Sequence, residues 1–152
     1  MTKKFSVVRA SLILLALALT LSGCSLFNQT TSSQSQPTDA QGTIFGRVVT
    51  AEQIGERNAP VNETSTFNAE QPRIYVVAEA SQLTSGTAMF ARWSRDGKPF
   101  EDSQEITANK DYQNTYVEFH LEPVQGTFDP GQYTVQLFVN GNPDKQANFT
   151  VR

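Results

Sequence analysis

The chain has 152 residues, of which 38% are hydrophobic, and a formal net charge of −3. This length predicts one folded domain. The acidic balance disfavours nucleic acid as a partner and disfavours adsorption to an anionic bilayer, since both need a basic surface. A single cysteine excludes an intramolecular disulfide.

The first 23 residues have the composition of an export signal. Positive charge comes from Lys3, Lys4 and Arg9, and an apolar stretch, SLILLALALTL, follows at residues 11–21. About ten apolar residues are too few to cross a bilayer core of roughly 30 Å, so a cleaved signal peptide over residues 1–23 is favoured over a membrane-spanning helix. Its removal would leave nine basic against 15 acidic residues, a formal charge of −6.

The apolar stretch ends in Leu21-Ser22-Gly23-Cys24. This segment resembles the lipobox of bacterial lipoproteins, L-[AS]-[GA]-C, in all four positions. The resemblance implies cleavage before Cys24, a diacylglyceryl thioether on its sulfur and an acyl group on the new N-terminus, and two or more such chains anchor a protein stably to a membrane. The alternative is an ordinary small residue near a cleavage site. Ser25 is not the Asp of an inner-membrane retention signal, so we expect the outer membrane in a Gram-negative source and otherwise the outer face of the plasma membrane.

Residues 25–42, SLFNQTTSSQSQPTDAQG, are rich in Ser, Thr, Gln and Asn. They have no apolar periodicity and are predicted to form a flexible tether between Cys24 and a folded domain over residues 43–152. From residue 43 onward, apolar and polar residues alternate with period two, which is typical of half-buried β-strands, and no segment shows a helical period.

The alternation predicts strands at residues 43–51, 73–80, 87–95, 114–121, 131–139 and 146–151, with weaker ones at 66–67 and 104–108. Asp96-Gly97 and Asn140-Gly141 are predicted hairpin turns, because these residue types adopt the positive φ that type I′ turns require. The rest of the segment 51–70 is expected to be irregular. About seven short strands in roughly 110 residues predict an all-β, two-sheet sandwich.

Residues 121–123, LEP, and residues 129–135, DPGQYTV, together resemble the L-x-P…Y-x-V run of the fibronectin type III family. Residues 129–135, DPGQYTV, are similar to the D-x-G-x-Y-x-Cys of immunoglobulin strand F, with Val135 in place of the cysteine. Trp93 falls where strand C of that fold carries its core tryptophan. The resemblance implies an immunoglobulin-like sandwich in which the hydroxyl of Tyr133 bonds to nearby backbone. A fold of this kind does not by itself confer a function.

Residues that could carry chemistry are few. His120 is the only histidine, and alternation places it on the outer side of its strand, which favours a solvated position. Glu101 and Asp102 are adjacent carboxylates in a predicted polar loop and would point apart, unlike the pair in a glycosidase. Asn140, Asn142 and Asp144 have the spacing of calcium-loop ligands. Lys145 stands where such a loop needs glycine and Val151 where it needs glutamate, so a hairpin turn is favoured. We expect no enzyme, no metal site and no cofactor.

The alternation also places aromatic side chains on the outside of both sheets. Phe90, Arg92 and Phe138 are expected to share one outer face, and Tyr75 and Tyr116 are expected to meet on the other. Aromatic residues and Arg dominate interface energetics, so these groups predict a surface for an envelope protein partner. A carbohydrate-binding module using the same aromatics is the alternative, with an enzyme subunit less favoured. The plainest interpretation is cross-strand pairs that stabilise their own sheet by about 0.2–1 kcal/mol.

Overall fold

A computed structural model describes residues 43–152. The signal peptide predicted for residues 1–23, the lipidated Cys24 and the tether predicted for residues 25–42 lie outside the described residues. Between residues 43 and 152, no helix has the length and apolar character needed to cross a membrane. The only helical element in this part of the chain is a 3-10 turn, Glu56–Asn58.

Ten β-strands form the domain. In chain order they are β1 (Phe45–Ile54), β2 (Pro60–Glu63), β3 (Thr66–Phe67), β4 (Ile74–Leu83), β5 (Ala88–Arg95), β6 (Lys98–Asp102), β7 (Ile106–Thr107), β8 (Tyr112–Leu121), β9 (Gly131–Val139) and β10 (Asn142–Val151). One sheet has the order β2-β1-β4-β8, and the other has the order β3-β10-β9-β5-β6, with β7 also paired to β5. Neighbouring strands are antiparallel except β3, which runs parallel to β10.

The two sheets pack face to face over one hydrophobic core. β1 lies against β10 and β8 lies against β5. Alternate residues point inward as predicted, so that Met89, Ala91 and Trp93 of β5 are buried together with Val135 of β9. The ring of Trp93 meets Phe149 edge to face at a centroid distance of 6.2 Å. The predicted all-β, two-sheet sandwich is confirmed.

Both predicted hairpin turns are confirmed. Asp96 and Gly97 have φ angles of 49° and 78°, and Asn140 and Gly141 have φ angles of 49° and 79°. Positive φ at both central residues is the geometry of a type I′ turn, whose twist matches that of the flanking strands. The two turns join β5 to β6 and β9 to β10, at opposite ends of the sheet.

Three details of the sequence prediction were wrong. The domain has ten strands rather than about seven. The segment 51–70, expected to be irregular apart from a weak strand at 66–67, also contains the end of β1 and all of β2. Glu101 and Asp102 lie in β6, paired with β5, rather than in a polar loop. No residue of β2 or β6 is fully buried, so neither strand has the apolar alternation that would have marked it.

Candidate functional site

Three of the predicted surface residues come together on the outer face of the larger sheet. Phe90 lies directly opposite Phe138 in the pairing of β5 with β9. Their rings are stacked, with centroids 4.5 Å apart and planes 3° from parallel. The guanidinium carbon of Arg92 lies 5.2 Å from the ring centroid of Phe138 and 5.9 Å from that of Phe90. We call these three residues the Phe90–Phe138 cluster.

The cluster is fixed in place by an ion pair. Arg92 donates from Nε and Nη2 to the two carboxylate oxygens of Asp102 on β6, each at 2.7 Å. This hydrogen bonding raises the pKa of Arg92 and lowers the pKa of Asp102. Phe90 and Phe138 are themselves half-buried. The cluster therefore has its cation paired with Asp102 and its two rings packed against each other.

Tyr75 and Tyr116 share the outer face of the smaller sheet, but they do not meet. Tyr75 lies opposite His120, and the two ring centroids are 5.8 Å apart. Tyr116 lies opposite Glu79 on β4. Glu79 is four residues from Tyr75, so Tyr75 and Tyr116 are separated by about 13 Å along the strands. The prediction that the two tyrosines meet was wrong, because alternation fixes the face of a residue but not its cross-strand partner.

His120 lies on the outer side of β8, as its position in the alternation predicted. Its Nδ1 atom is 3.3 Å from a carboxylate oxygen of Glu118 two residues away, and the imidazole is exposed. Neither of the two clefts described below includes His120. The geometry around this histidine is that of a solvated strand position.

The residues with calcium-loop spacing hold the ends of strands together. The carboxylate of Asp144 accepts hydrogen bonds from the backbone N–H groups of Ile44 and Phe45, at 3.1 and 2.8 Å. The side-chain oxygen of Asn140 accepts one from the N–H of Ala88 at 3.0 Å. Across residues 43–152, no three His, Cys, Asp or Glu side chains are grouped so that they could hold a metal ion.

A cleft of about 630 Å³ opens between the β5–β6 hairpin and the segment that follows β8. We call it the end cleft. Phe100 on β6 is 51% exposed and Val124 is 88% exposed, and these are the two most exposed large apolar side chains of the described residues. The ring of Phe100 packs edge to face against Tyr133 with centroids 6.1 Å apart. Sequence reasoning missed this site.

Charged side chains surround the apolar part of the end cleft. Arg95 is paired with Asp129, and Glu122 is paired with Arg73. Lys98 has no carboxylate within 4.0 Å among the described residues. The end cleft therefore combines exposed apolar surface with a cation that is open to a ligand.

The end cleft lies far from the first residues of the domain. β1 begins beside the β9–β10 turn, where Asp144 binds the N–H of Ile44. The end cleft borders Asp96, in the turn at the other end of β5. Nine residues of β9 connect these ends, a length of about 30 Å at roughly 3.3 Å per residue. β1 therefore begins at the end of the domain opposite the end cleft.

Comparison with known proteins supports the fold. Neither a protein-family model nor a curated protein matches the sequence. Among solved structures, the chain is similar to an immunoglobulin-like protein from Pseudomonas aeruginosa, at 14% identity over 76% of this chain and 99% of that chain, with a TM-score of 0.50. The domain is an immunoglobulin-like β-sandwich. At this identity the likeness concerns the fold alone.

Two further structures are less similar. An alkylpurine DNA glycosylase from Pseudomonas fluorescens matches at 17% identity and a TM-score of 0.35, over 69% of this chain and 30% of that one. A superoxide reductase (neelaredoxin) from Ignicoccus hospitalis matches at 16% identity and a TM-score of 0.36, over 59% of this chain and 76% of that one. TM-scores this low add nothing about the activity of the present domain.

Proposed function

We propose that this chain is a lipid-anchored protein of the cell envelope whose immunoglobulin-like domain recognises a partner protein, and so helps to assemble an envelope complex. The observation that carries the proposal is the end cleft, where Phe100 and Val124 expose apolar surface beside Lys98. Clustered exposed apolar surface on a small domain is typical of interaction sites. The domain acts by binding rather than by catalysis.

The anchor is supported by the resemblance of Leu21–Cys24 to a lipobox directly after an apolar stretch. A tether of 18 residues has a root-mean-square reach of roughly 20–25 Å as a random coil. Such a tether would give a domain anchored through Cys24 room to meet a partner. The membrane is the outer one in a Gram-negative source and the plasma membrane otherwise.

The outer faces of the sheets are secondary candidates. The Phe90–Phe138 cluster has the composition of an interface hot spot, and Tyr75 and Tyr116 are half-buried on the other sheet. A carbohydrate-binding role for these aromatics has less support, because sugars stack on exposed ring faces and Phe90 and Phe138 each turn one face to the other. Protein recognition is therefore the function that we propose.

Crosslinking capture from intact envelopes tests this function. The double variant Phe100→Ser/Val124→Ser should lose the captured partner, and Val124→Ser alone should weaken capture without lowering the melting temperature, because Val124 is 88% exposed. Val61→Ser removes an apolar side chain that is 37% exposed on β2, away from the end cleft, and is the matched control. Full capture by the double variant, or an equal loss in Val61→Ser, would contradict the proposal.

A further inference from the structure

The four edges of the two sheets differ in how well they are protected against pairing with another chain. β2 has four residues and begins with Pro60, and β3 has two residues. β6 has five residues, includes Pro99, and is bulged against β5 between Trp93 and Ser94. Short length, proline and bulges are the features by which proteins block edge strands. Three of the edges are therefore poor templates for a further strand.

β8 has none of these three protections, although the 3-10 turn Glu56–Asn58 lies against part of it and Asn114 within it has a φ of 48°. It contains ten residues and no proline, and Pro123 follows only after the strand has ended. One side of β8 pairs with β4 along the whole strand. No strand within residues 43–152 pairs with its other side. A long strand with unpaired N–H and C=O groups is a ready template for strand addition.

The open side of β8 lies in a groove rather than on a convex edge. A cavity of about 310 Å³ borders β8 from Tyr112 to Glu118, with Asn58 of the β1–β2 turn on its rim and β7 also lining it. Ile106 of β7 is 40% exposed there. At the end of the strand, the end cleft borders Leu121. Three of the five exposed large apolar side chains of the described residues therefore line the two cavities along this one strand: Phe100, Ile106 and Val124.

We propose that the open edge of β8 binds an extended segment of the partner protein by β-strand addition. Main-chain hydrogen bonds to β8 supply affinity, and side chains on alternate residues of the segment enter the groove and the end cleft. Those residues are apolar, to match Phe100 and Ile106, and a carboxylate of the segment lies at Lys98. This inference rests on the proposed function and names the element of the partner that is recognised.

A second copy of the chain fits the groove less well. Two identical edge strands related by a twofold axis pair antiparallel. That arrangement would place the β1 ends of the two domains at opposite ends of the pair, whereas the lipids proposed on Cys24 belong in one membrane. A different protein with an acidic, alternating segment is therefore the better occupant.

Selection of a phage-displayed library of random dodecapeptides on the full mature chain tests this proposal. Enriched peptides should have apolar residues at alternate positions and one acidic residue. When such a peptide is bound, amide hydrogen exchange of alternate residues between Tyr112 and Leu121 should slow by about tenfold or more, because those N–H groups become hydrogen-bonded. Lys98→Gln should weaken peptide binding by about three- to fivefold, the range of an exposed charge pair. Lys145→Gln is the control, since Lys145 lies on β10 in the larger sheet and lines neither cavity.

Three outcomes would overturn strand addition. In the first, enriched peptides bind without slowing amide exchange in β8. In the second, the library yields no acidic peptide with alternating apolar residues. In the third, β8 amides become protected as the protein concentration rises without peptide, which would identify a second copy as the occupant. The proposed function fails separately, when capture of the envelope partner does not depend on Phe100 and Val124. If partner capture needs Phe100 and Val124 but the β8 amides stay unprotected, the proposed recognition stands and strand addition is ruled out.

Discussion

The side chain of Tyr133 and the backbone of Asp129 are joined across the base of the end cleft. The Tyr133 hydroxyl donates a hydrogen bond of 2.8 Å to the carbonyl oxygen of Asp129, and the carboxylate of Asp129 is paired with Arg95 on β5. This is the tyrosine bond that the resemblance to immunoglobulin strand F implied. The tyrosine bond holds the segment before β9 against that strand, and the Arg95–Asp129 pair links the same segment to β5, so the feature that marks the fold also shapes the cleft.

Replacing Tyr133 with Phe removes this bond while keeping the ring. We expect the free energy of unfolding to fall by about 0.5–1.5 kcal/mol, because the part-buried hydrogen bond from the Tyr133 hydroxyl to the carbonyl of Asp129 is lost. Urea denaturation measures the change. Tyr116→Phe is the matched control, since the hydroxyl of Tyr116 makes no hydrogen bond within the described residues, and its effect should stay within about 0.5 kcal/mol. Equal effects in the two variants would contradict a role for the Tyr133 bond.

Tyr133 should also make stability depend on alkaline pH. Burial raises the pKa of Tyr133 above its ordinary value of 10.0, although a hydrogen bond with Arg95 opposes the shift. The folded state therefore favours the protonated phenol, and this stabilisation is complete below pH 10 and is lost as the pH rises through the folded pKa. Between about pH 9 and about pH 11, the free energy of unfolding should fall more steeply in the wild type than in Tyr133→Phe. Parallel curves would contradict the shift.

Trp93 should tolerate a smaller aromatic better than its burial suggests. Its side chain has no exposed surface, and its indole Nε1–H has no hydrogen-bond partner within residues 43–152. Trp93→Ala should cost about 3–5 kcal/mol through the cavity it leaves. Trp93→Phe should cost only about 1–2 kcal/mol, because it also removes an unsatisfied polar group. If guanidinium denaturation shows the same loss of unfolding free energy for Trp93→Phe as for Trp93→Ala, the proposed unsatisfied indole N–H is contradicted.

The Phe90–Phe138 cluster allows its stabilising and binding roles to be separated. A double-mutant cycle with Phe90→Ser and Phe138→Ser should give a coupling energy of about 0.5–1.5 kcal/mol, the range for stacked aromatic pairs. If the cluster serves only its own sheet, the two single variants lose stability and still capture the envelope partner. Loss of capture at an unchanged melting temperature would instead make the cluster part of the recognition surface.

Residue type alone predicted the parts of the fold that depend on local rules. Strand β9 has the bounds that alternation predicted, Trp93 is buried, and both type I′ turns lie at Asp-Gly and Asn-Gly. These features follow from the alternation of inward and outward residues along a strand and from the φ angles that particular residue types adopt. They need no information about which strands are neighbours.

Features that depend on register or on two distant segments were not predicted. Tyr75 and Tyr116 lie on the same outer face of the sheet, but each is opposite a different residue of the neighbouring strand. The end cleft lies between β6 with its preceding turn and the segment that follows β8, and neither of these parts has an alternating pattern. The one signal in the sequence was Phe100, a large apolar residue in an otherwise polar stretch. An exposed apolar residue of that kind often marks contact with a ligand or partner.

The proposed location of this protein at a membrane depends on lipid attachment at Cys24. Acyl chains, rather than protein charge, would hold this acidic chain at a membrane. Cys24→Ser should therefore release the protein from the membrane fraction while leaving the folded domain intact. The variant Ser25→Ala, which keeps the cysteine, should remain membrane-bound.

Mass spectrometry of the mature protein purified from membranes is the most direct measurement. We expect an N-terminal peptide that begins at Cys24 and carries a diacylglyceryl group on sulfur together with an acyl group on nitrogen. An unmodified thiol at Cys24, or a mature chain that begins at another residue, would contradict the lipid anchor.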